Sequence, residues 1–564
     1  MIESTQKGAQ GATLGAMLRD GGRRFPTSEI VFPSERCSYA ELDRRADAFA
    51  RVFSASGLSH GQMVGIWLPA SIDMIAAMFG AMRCGGVAVP ISDRFRADEL
   101  RHVITHGDLR LLVTIARNDF SDRPQDLRKA LPDLEGKDGH ASSATAPLLR
   151  RVLVMGAGEY DLPPGMEWMT AAGFQVRSVA DLDVEDASLK ADDLSYLMYT
   201  SGTSAMPKGC MTTHRGCLLQ GRSLAFTRYM LDHNCAFWCP MPLFHNAGLA
   251  TMTAAMVAGA NFVHSGQFDA TDALNLLSNE KCTHGLPTFE TVWMRVLEHP
   301  DFEKADLSNL RCILNTGGED LLRKLQARTP QAIQMANYGM TEGTGHIAMT
   351  MIDDSEDIRM TTGGFPLPEM EVRIVDPESR KALPAGERGE IQFRGPSRFL
   401  GYYKDKAATE AVIDADGWFA SGDLGVMDAE GRLTYKGRLK DMLKVGGENV
   451  AALEIESFLL RHPAVSIAAV VAAPDAYYTE VPAAFIQRAP GASVSEQELI
   501  DFCLDDISTY KVPRYVRFIE EWPMSGTKIK KYVLREQIAR ELKEAGIDRA
   551  PKLVSRRAQK AGSA

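Results

Sequence analysis

Apolar runs of strand length alternate with stretches of helical spacing through much of this chain, first up to about residue 190 and again over residues 235–319. Residues 63–68 and 111–115 predict buried strands, and the apolar positions of 72–83 recur as on a helix. Strands that alternate with helices run parallel, and helices cover both faces of such a sheet. We therefore expect an α/β fold in which parallel-type sheets are wrapped by helices.

The pattern changes twice further along the chain. Beyond residue 363, short strands and turns such as 371–375 and 389–393 predict a β-rich subdomain. The segment after Gly437 has α+β character and is long enough for an independent domain. The polar stretch 118–147 predicts a surface loop or a partly disordered insertion.

Composition excludes some classes of protein. The net charge of −10 argues against general nucleic-acid binding. Scattered cysteines are typical of a reducing compartment, so we expect a cytoplasmic location. Cys235 and Cys239, with His233 and His245 nearby, are the closest approach to a metal site, but no second cysteine pair completes a zinc site.

No segment predicts a membrane span. The most apolar window, residues 249–263, is too short to cross a bilayer, and the N-terminus lacks an apolar signal core. These observations leave open a peripheral membrane contact and a homodimer.

A loop rich in hydroxyls follows a predicted buried strand at 194–199. Its candidate ligand-binding residues are Thr200, Ser201, Gly202, Thr203, Ser204 and Lys208. Glycine lets successive N–H groups converge on an anion, and a lysine suits a polyphosphate. The spacing differs from that of a Walker P-loop, and an ordinary Ser/Gly turn with a surface lysine has the same composition.

Residues 337–345 combine an aromatic ring, a hydroxyl, a carboxylate and glycines. Tyr338 could stack on a nucleobase, and Glu342 could hold Mg²⁺, which prefers oxygen ligands and phosphates. Alone, the same residues also suit a glycine-rich loop with a solvated glutamate.

Two further turns have weaker signals. The loop that contains Gly317, Gly318 and Glu319 follows a predicted strand and could lie against adenine. Asp423 stands in a predicted tight turn, where a carboxylate can accept from both ribose hydroxyls or can form an ordinary Asx turn.

In this order, the motifs resemble those of the adenylate-forming superfamily, which includes acyl-CoA synthetases, luciferases and peptide-synthetase adenylation domains. The resemblance covers about residues 30–540. Ala205 stands where the family usually has glycine, and Ser421 where it has threonine. The resemblance implies an N-terminal adenylation domain at 1–437, a hinge at 438–440, a mobile α+β lid domain at 441–547 and a basic tail at 548–564, which we expect to be disordered.

The resemblance also implies roles for individual residues. Thr341 would contact phosphate, and Glu342 would bind magnesium together with Thr200. The nucleotide would be held by the hydroxyl loop, the glycine-rich loops and the ribose contacts. Those residues outside the hydroxyl loop are Gly317, Gly318, Glu319, Asn337, Tyr338, Gly339, Asp423 and Arg438.

Residues 435–450 are the second strongest match to the family. Lys440 takes the position about which the C-terminal domain rotates, and Lys444 belongs to the same segment. Gly446 and Gly447 would let the pantetheine arm of coenzyme A pass close to the backbone. A charged surface strand and turn is the ordinary alternative.

Two side chains would act at the acyl group. His245 would face the acyl group or its channel, although a core histidine bonded to a carbonyl is a serious alternative. Lys528 aligns with the lysine that neutralises charge between the carboxylate and the α-phosphate. Its segment is one residue short and has Thr527 in place of glycine, so Lys530 stays as the alternative.

The implied function is that of an ATP-dependent carboxylic acid–CoA ligase. It would use ATP with Mg²⁺ to form an acyl-adenylate and then transfer the acyl group to coenzyme A. We expect a hydrophobic acid, whether fatty, aryl or polycyclic. Transfer to a carrier protein and a non-catalytic nucleotide-binding relative are the alternatives.

Overall fold

The computed structural model describes residues 12–118, 121–137, 140–156, 161–169, 189–200, 206–446, 448–525 and 528–553. We refer to the described residues up to 437 as the large domain and to those from 441 as the small domain. No helix in these ranges is both long and apolar enough to cross a membrane.

The helices of the large domain are numbered in chain order. They are α1 (Leu14–Arg24), α2 (Tyr39–Ala55), α3 (Ile72–Arg83), α4 (Ala97–His106), α5 (Arg123–Ala130), α6 (His214–Ser223), α7 (Asn246–Ala258), α8 (Ala270–Asn279), α9 (Glu290–Leu297), α10 (Glu319–Arg328), α11 (Glu356–Thr361) and α12 (Lys406–Val412).

The strands of the large domain are numbered in the same way. The first half comprises β1 (Glu29–Val31), β2 (Arg36–Ser38), β3 (Met63–Trp67), β4 (Val87–Pro90), β5 (Leu109–Ile115), β6 (Arg117–Asn118), β7 (Ser121–Asp122), β8 (Glu135–Lys137), β9 (His140–Ser142), β10 (Arg151–Met155), β11 (Glu167–Met169), β12 (Leu194–Thr200) and β13 (Lys208–Thr213). The second half comprises β14 (Ala236–Trp238), β15 (Asn261–Val263), β16 (His284–Thr288), β17 (Cys312–Asn315), β18 (Ile333–Met335), β19 (Asn337–Tyr338), β20 (Ala348–Met349), β21 (Phe365–Pro366), β22 (Glu371–Val375), β23 (Arg388–Arg394), β24 (Gly401–Tyr402), β25 (Phe419–Met427) and β26 (Leu433–Arg438).

Two mainly parallel sheets form the body of the large domain. One has the strand order β11-β10-β5-β3-β4-β12-β13-β24, and the other has the order β18-β17-β16-β14-β15-β1-β2. In the first sheet β13 and β24 run antiparallel to their neighbours, and in the second β2 does so. The predicted α/β class with parallel sheets and covering helices is confirmed.

Helices α3 and α7 lie in the largest hydrophobic cluster, together with residues from both sheets. Nearly every residue of either helix is buried, as expected for helices that are apolar on all sides. α3 also buries Arg83, which donates to Asp47 at 2.6 Å and is paired with Asp43 as well. Helix α7 lies in the same cluster, and His245 at its N-terminus lines the candidate site.

The predicted β-rich subdomain is present. It contains the antiparallel sheet β22-β23-β25-β26, with a three-stranded sheet β19-β20-β21 formed by earlier segments. Strand β22 has the bounds that the sequence predicted, Glu371–Val375. These sheets carry Tyr338 and Asp423 toward one another.

The small domain is built on a five-stranded sheet in the order β28-β27-β30-β29, with β31 paired to β30. Its strands are β27 (Met442–Val445), β28 (Glu448–Ala451), β29 (Val465–Asp475), β30 (Thr479–Arg488), β31 (Tyr515–Phe518), β32 (Met524–Ser525) and β33 (Lys528–Ile529). Its helices are α13 (Ala452–Leu459), α14 (Glu496–Asp506) and α15 (Lys531–Glu544). The predicted α+β character is therefore observed.

The prediction of a loop over residues 118–147 is wrong. Helix α5 begins after Asp122, whose side chain accepts from the N–H of Gln125 at 3.2 Å. A β-hairpin, β8–β9, follows it, and Leu127, Leu131 and Leu134 are fully buried. The loop prediction followed the polar composition and missed these apolar positions. An aspartate N-cap with a proline soon after it is nevertheless a recognisable helix start.

The predicted disordered tail also begins too early. The carbonyl of Asp548 accepts from the N–H of Ala476 at 2.8 Å, and the carbonyl of Pro551 accepts from Arg514 at 2.8 Å. Residues 548–553 therefore pack against the small domain. Residues 554–564 lie outside the described ranges.

Candidate active site

The two ends of the hydroxyl loop lie side by side. Thr200 ends β12 and pairs with Lys208, the first residue of β13. The Thr200 hydroxyl donates to the Lys208 carbonyl at 3.5 Å. Ser201, Gly202, Thr203 and Ser204 lie outside the described residues, so their predicted phosphate contacts stay predictions.

Tyr402 joins the lysine of this loop to the candidate metal ligand. The Lys208 Nζ lies 4.6 Å from the centre of the Tyr402 ring, and the Tyr402 hydroxyl donates to Glu342 Oε1 at 2.8 Å. Burial and the charge of Glu342 raise the pKa of Tyr402, so the phenol keeps the proton that it donates. The sequence prediction missed Tyr402, which pairing of β24 with β13 places opposite Cys210.

The turn that carries Thr341 and Glu342 is a 3₁₀ helix, Thr341–Gly343. Asn246 Nδ2 donates to the Thr341 carbonyl at 3.0 Å. Thr344 closes the turn at φ +59° and donates through its hydroxyl to the Ser397 carbonyl at 2.5 Å. The turn that carries Thr341 and Glu342 is therefore held at both ends by hydrogen bonds to other segments, one to the Asn246 side chain and one to the Ser397 carbonyl.

Tyr338, Asp423 and Arg438 form a second cluster. The Tyr338 hydroxyl donates to Asp423 Oδ2 at 2.9 Å, and Arg438 Nε lies 3.3 Å from Asp423 Oδ1. Asp423 and Arg438 are direct neighbours across β25 and β26. The Tyr338 ring stacks on Tyr435 with centroids 5.9 Å apart, so a nucleobase would have to lie against the other ring face.

The predicted adenine loop contacts the same region. Thr316 donates through its hydroxyl to Asn337 Oδ1 at 2.8 Å. Gly317 and Gly318 precede α10, and Glu319, its first residue, forms an ion pair with Arg323 at 2.9 Å. The loop and strand β19 therefore share a side-chain hydrogen bond. Gly339 follows β19 and approaches Gly345 so closely that a Cβ would lie 1.8 Å from the Gly345 carbonyl oxygen.

The small domain rests against this loop. A side-chain carbon at Gly318 would lie 2.8 Å from the Ser457 hydroxyl of α13. Next to it, Arg461 donates to Asp320 at 2.8 Å. Glycine at position 318 thus permits the close approach of the two domains.

The predicted hinge and pantetheine segment lies between the two domains. Lys440 belongs to a 3₁₀ turn, Leu439–Asp441, that connects β26 to β27. Burial, together with the charge of Arg438, lowers the pKa of Lys440. The N–H of Lys444 donates to Glu480 at 2.8 Å, and Lys444 itself is exposed.

Gly446 adopts φ +60°, and its N–H donates to the Tyr478 carbonyl at 2.8 Å. A Cβ at this position would lie 3.0 Å from the Tyr478 ring. Gly447 lies outside the described residues.

A cavity of about 340 Å³ lies between the two domains. Residues from both domains line it, among them Ser92, Arg94, Tyr199, Phe244, His245 and Lys530. His245 immediately precedes the buried helix α7 and lines this cavity.

The lysine segment is only partly described. Lys528 lies in β33 and pairs with Ser525, but its side chain is outside the described part of the structure. Lys530 lines the cavity, whereas Lys531 forms an ion pair with Glu456 at 2.6 Å. The choice between Lys528 and Lys530 stays a prediction.

The residues present fit a magnesium ion. Glu342 supplies a carboxylate and Thr200 a hydroxyl, which are the oxygen ligands that Mg²⁺ prefers. In the described ranges, no group of three or more His, Cys, Asp and Glu side chains could hold a metal ion by itself. Mg²⁺ usually takes one or two carboxylates and completes its coordination with substrate phosphates and water.

Comparison with protein families gives two matches. Residues 18–403 match the model of the AMP-binding enzyme family, and residues 454–528 match that of the AMP-binding enzyme C-terminal domain. The second match ends at Lys528.

Individual relatives cover nearly the whole chain. A putative acyl-CoA synthetase, YngI of Bacillus subtilis, is 34% identical over 93% of this chain and 97% of its own length. The medium-chain fatty-acid–CoA ligase of Escherichia coli is 31% identical, with coverage of 95% and 92%. The crystal structure of ATP-bound MatB from Rhodopseudomonas palustris superimposes with a TM-score of 0.79 at 26% identity, covering 93% of this chain and 99% of that one.

The family match extends over most of the large domain and includes the residues of both clusters except those of β25 and β26. The chain therefore belongs to the AMP-binding enzyme family, within the adenylate-forming superfamily, as an AMP-forming acid–CoA ligase.

Proposed function

We propose that this enzyme activates a hydrophobic, medium-chain carboxylic acid with ATP and transfers the acyl group to coenzyme A. The observation that carries the proposal is the arrangement of Lys208, Tyr402 and Glu342: the lysine lies over the Tyr402 ring, the Tyr402 hydroxyl donates to Glu342, and the two ends of the hydroxyl loop meet beside them. The medium-chain acid is suggested by the Escherichia coli relative, which is named for that substrate.

In the first step, a carboxylate oxygen attacks the α-phosphorus of ATP, and the bond to the β-phosphate oxygen breaks. Pyrophosphate leaves and an acyl-adenylate forms. Lys208 and the hydroxyl loop would hold the phosphates, while Asp423 and Arg438 would bind the ribose. Mg²⁺ on Glu342 and Thr200 would offset the negative charge of the phosphates.

Lys528 would neutralise charge between the carboxylate and the α-phosphate during this step. The small domain would then turn about the hinge at 438–440 and withdraw that lysine. We place the domain boundaries on either side of this hinge, at 437 and 441.

In the second step, the thiol sulfur of coenzyme A attacks the acyl carbon, the bond to the adenylate oxygen breaks, and AMP leaves while the thiol gives up its proton. The pantetheine arm would pass Gly446, whose backbone is available because it has no side chain. The cavity beside His245 lies between the domains, and the thiol of coenzyme A would have to reach the acyl carbon there.

The test is ATP-dependent pyrophosphate release with a panel of fatty, aryl and polycyclic acids, with and without coenzyme A. We expect release to be fastest with acids of medium chain length and to need coenzyme A for repeated turnover. ATP binding without release on any acid would refute the ligase. Turnover without coenzyme A would show a different acceptor, and a preference for aryl or polycyclic acids would refute the proposed substrate.

A further inference from the structure

Helix α13 of the small domain carries a buried carboxylate, Glu456, which is 7% exposed. Lys531 Nζ lies 2.6 Å from Glu456 Oε1, and the N–H of Val470 donates to the same oxygen at 2.5 Å. Burying a charged group is costly unless the group is both paired and hydrogen-bonded. Lys531 and the Val470 N–H meet that requirement, so the position of the Lys531 ammonium is closely tied to α13.

Lys531 stands at the base of the hairpin that carries the candidate catalytic lysine. It is the first residue of α15, and Lys530 directly before it lines the interdomain cavity. Strands β32 and β33 form the hairpin, in which Ser525 pairs with Lys528. The N–H of Lys530 donates to the Pro523 carbonyl at 2.7 Å and closes the base of the hairpin. The ion pair with Glu456 therefore attaches this base to α13.

The same helix contacts the predicted adenine loop of the large domain. Ser457, the residue after Glu456, lies so close to Gly318 that a Cβ on the glycine would be 2.8 Å from the Ser457 hydroxyl. Further along α13, Arg461 donates to Asp320 at 2.8 Å. Consecutive residues of α13 thus contact the adenine loop and the lysine hairpin.

Glu456 also lies near the aromatic pair of the large domain. Burial raises the pKa of Tyr435, and the charges of nearby carboxylates, Glu456 among them, raise it further. The Tyr435 ring stacks on Tyr338, whose other face is available to a nucleobase. The carboxylate is therefore close to the large domain as well as to Lys531.

We propose that Glu456 is a positioning residue for adenylation, because it fixes the lysine hairpin through Lys531 while α13 rests on the adenine loop. This inference rests on the proposed function, in which the hairpin lysine acts in the first step and is withdrawn before the second. Glu456 itself contacts neither the acid nor the α-phosphate. It links the docking of the small domain on the adenine loop to the placement of the lysine.

Glu456→Gln tests the proposal, because the substitution removes the charge but keeps the shape and an acceptor for the Val470 N–H. With ATP and the best acid of the panel, kcat/KM for pyrophosphate release should fall about 10- to 100-fold, since a displacement of about 1 Å in a catalytic geometry can cost about 100-fold. Thioester formation from the supplied acyl-adenylate and coenzyme A should stay within about threefold of wild type. That second assay also establishes that the variant is folded.

Glu541→Gln is the matched control. Glu541 lies near the other end of α15 and pairs with Arg517 of β31 at 2.9 Å. Loss of that pair should change both half-reactions less than about threefold. Lys531→Arg retains the positive charge beside Glu456 and should keep pyrophosphate release within about fivefold of wild type. Equal losses of both half-reactions in Glu456→Gln, or the same loss of pyrophosphate release in Glu541→Gln, would show a general effect on the domain and overturn the proposal.

A double-mutant cycle provides a test that a purely structural role would not pass. The background is whichever lysine variant slows pyrophosphate release more, Lys528→Ala or Lys530→Ala. Adding Glu456→Gln there should lower release less than about twofold further, because the group that Glu456 positions is gone. A further loss of about tenfold or more would overturn the proposal. Absence of release by the wild-type enzyme with every acid would instead refute the proposed function itself.

Discussion

Replacing Tyr402 with phenylalanine should slow adenylation by about 10- to 150-fold in kcat/KM. The substitution removes only the hydroxyl, which donates to Glu342 Oε1 at 2.8 Å. A hydrogen bond to a charged group contributes about 1.5–3 kcal/mol, and each 1.36 kcal/mol corresponds to a factor of ten in rate. The reaction depends on positioning, so a carboxylate that is no longer held should lose that much of its effect.

The assay is pyrophosphate release measured as a function of Mg²⁺ concentration, because a loosened Glu342 should also raise the half-saturating Mg²⁺ concentration. Tyr402→Leu should cost about a further two- to fivefold, since it also removes the ring that lies 4.6 Å from Lys208. Tyr403→Phe is the matched control: the Tyr403 hydroxyl donates to Asp108 at 2.9 Å, not to the site, and its loss should change kcat/KM less than threefold.

Equal kcat/KM values for Tyr402→Phe and Tyr403→Phe, with the same urea midpoint as the wild-type enzyme, would refute the reasoning. The contact between Tyr402 and Glu342 would then be a feature of packing, and the role given to Glu342 would lose its structural support.

Three further predictions concern the lysine segment, the thiol step and pH. Lys528→Ala should reduce pyrophosphate release about 100- to 1000-fold while largely keeping thioester formation from supplied acyl-adenylate. Lys530→Ala should reduce pyrophosphate release less. The reverse order would move the catalytic role to Lys530. Gly446→Ala, strained at φ +60°, should slow the coenzyme A step more than adenylation in single-turnover assays, and equal effects would argue against a pantetheine path there. The free energy of unfolding in urea should fall as the pH drops from about 6.5 toward 4, by up to about 1.4 kcal/mol per pH unit for each buried histidine. The reason is that the unfolded chain takes up protons that the folded one excludes. A flat profile between pH 7.5 and 5.5 would contradict this prediction. The pKa values that burial lowers to about 4 belong to His214, His264, His284 and His346.

Much of the fold followed from periodicity. The helix at Ile72–Arg83 and the strand at Glu371–Val375 have the predicted bounds, because each is long or regular enough to show a clear repeat. The loop prediction for residues 118–147 was wrong because the buried leucines of this segment are spaced among polar residues. The helix start signal at Asp122 outweighs composition there.

The site was less accessible to sequence reasoning. Tyr338, Asp423 and Arg438 were predicted as separate ligand contacts. Their hydrogen bond and ion pair with one another depend on the pairing of β25 with β26 and on the position of β19. Nothing in the sequence around Gln220 predicted its contact with the site, because the Gly343 carbonyl to which it donates lies 123 residues further along the chain. A register between distant strands and helices cannot be read from local spacing.

Among the described residues, two ion pairs link the domains, and both are open to screening by salt. Arg461 lies 2.8 Å from Asp320, and both side chains are well exposed, at 55% and 36%. Glu454 is shared between Arg388 of the large domain and Lys511 of its own domain, so Arg388 is not its sole partner. Exposed pairs contribute about 0–1 kcal/mol and are screened within about 10 Å at 0.1 M salt. These two pairs therefore contribute little to holding the domains in this orientation, and added salt should reduce that small contribution further.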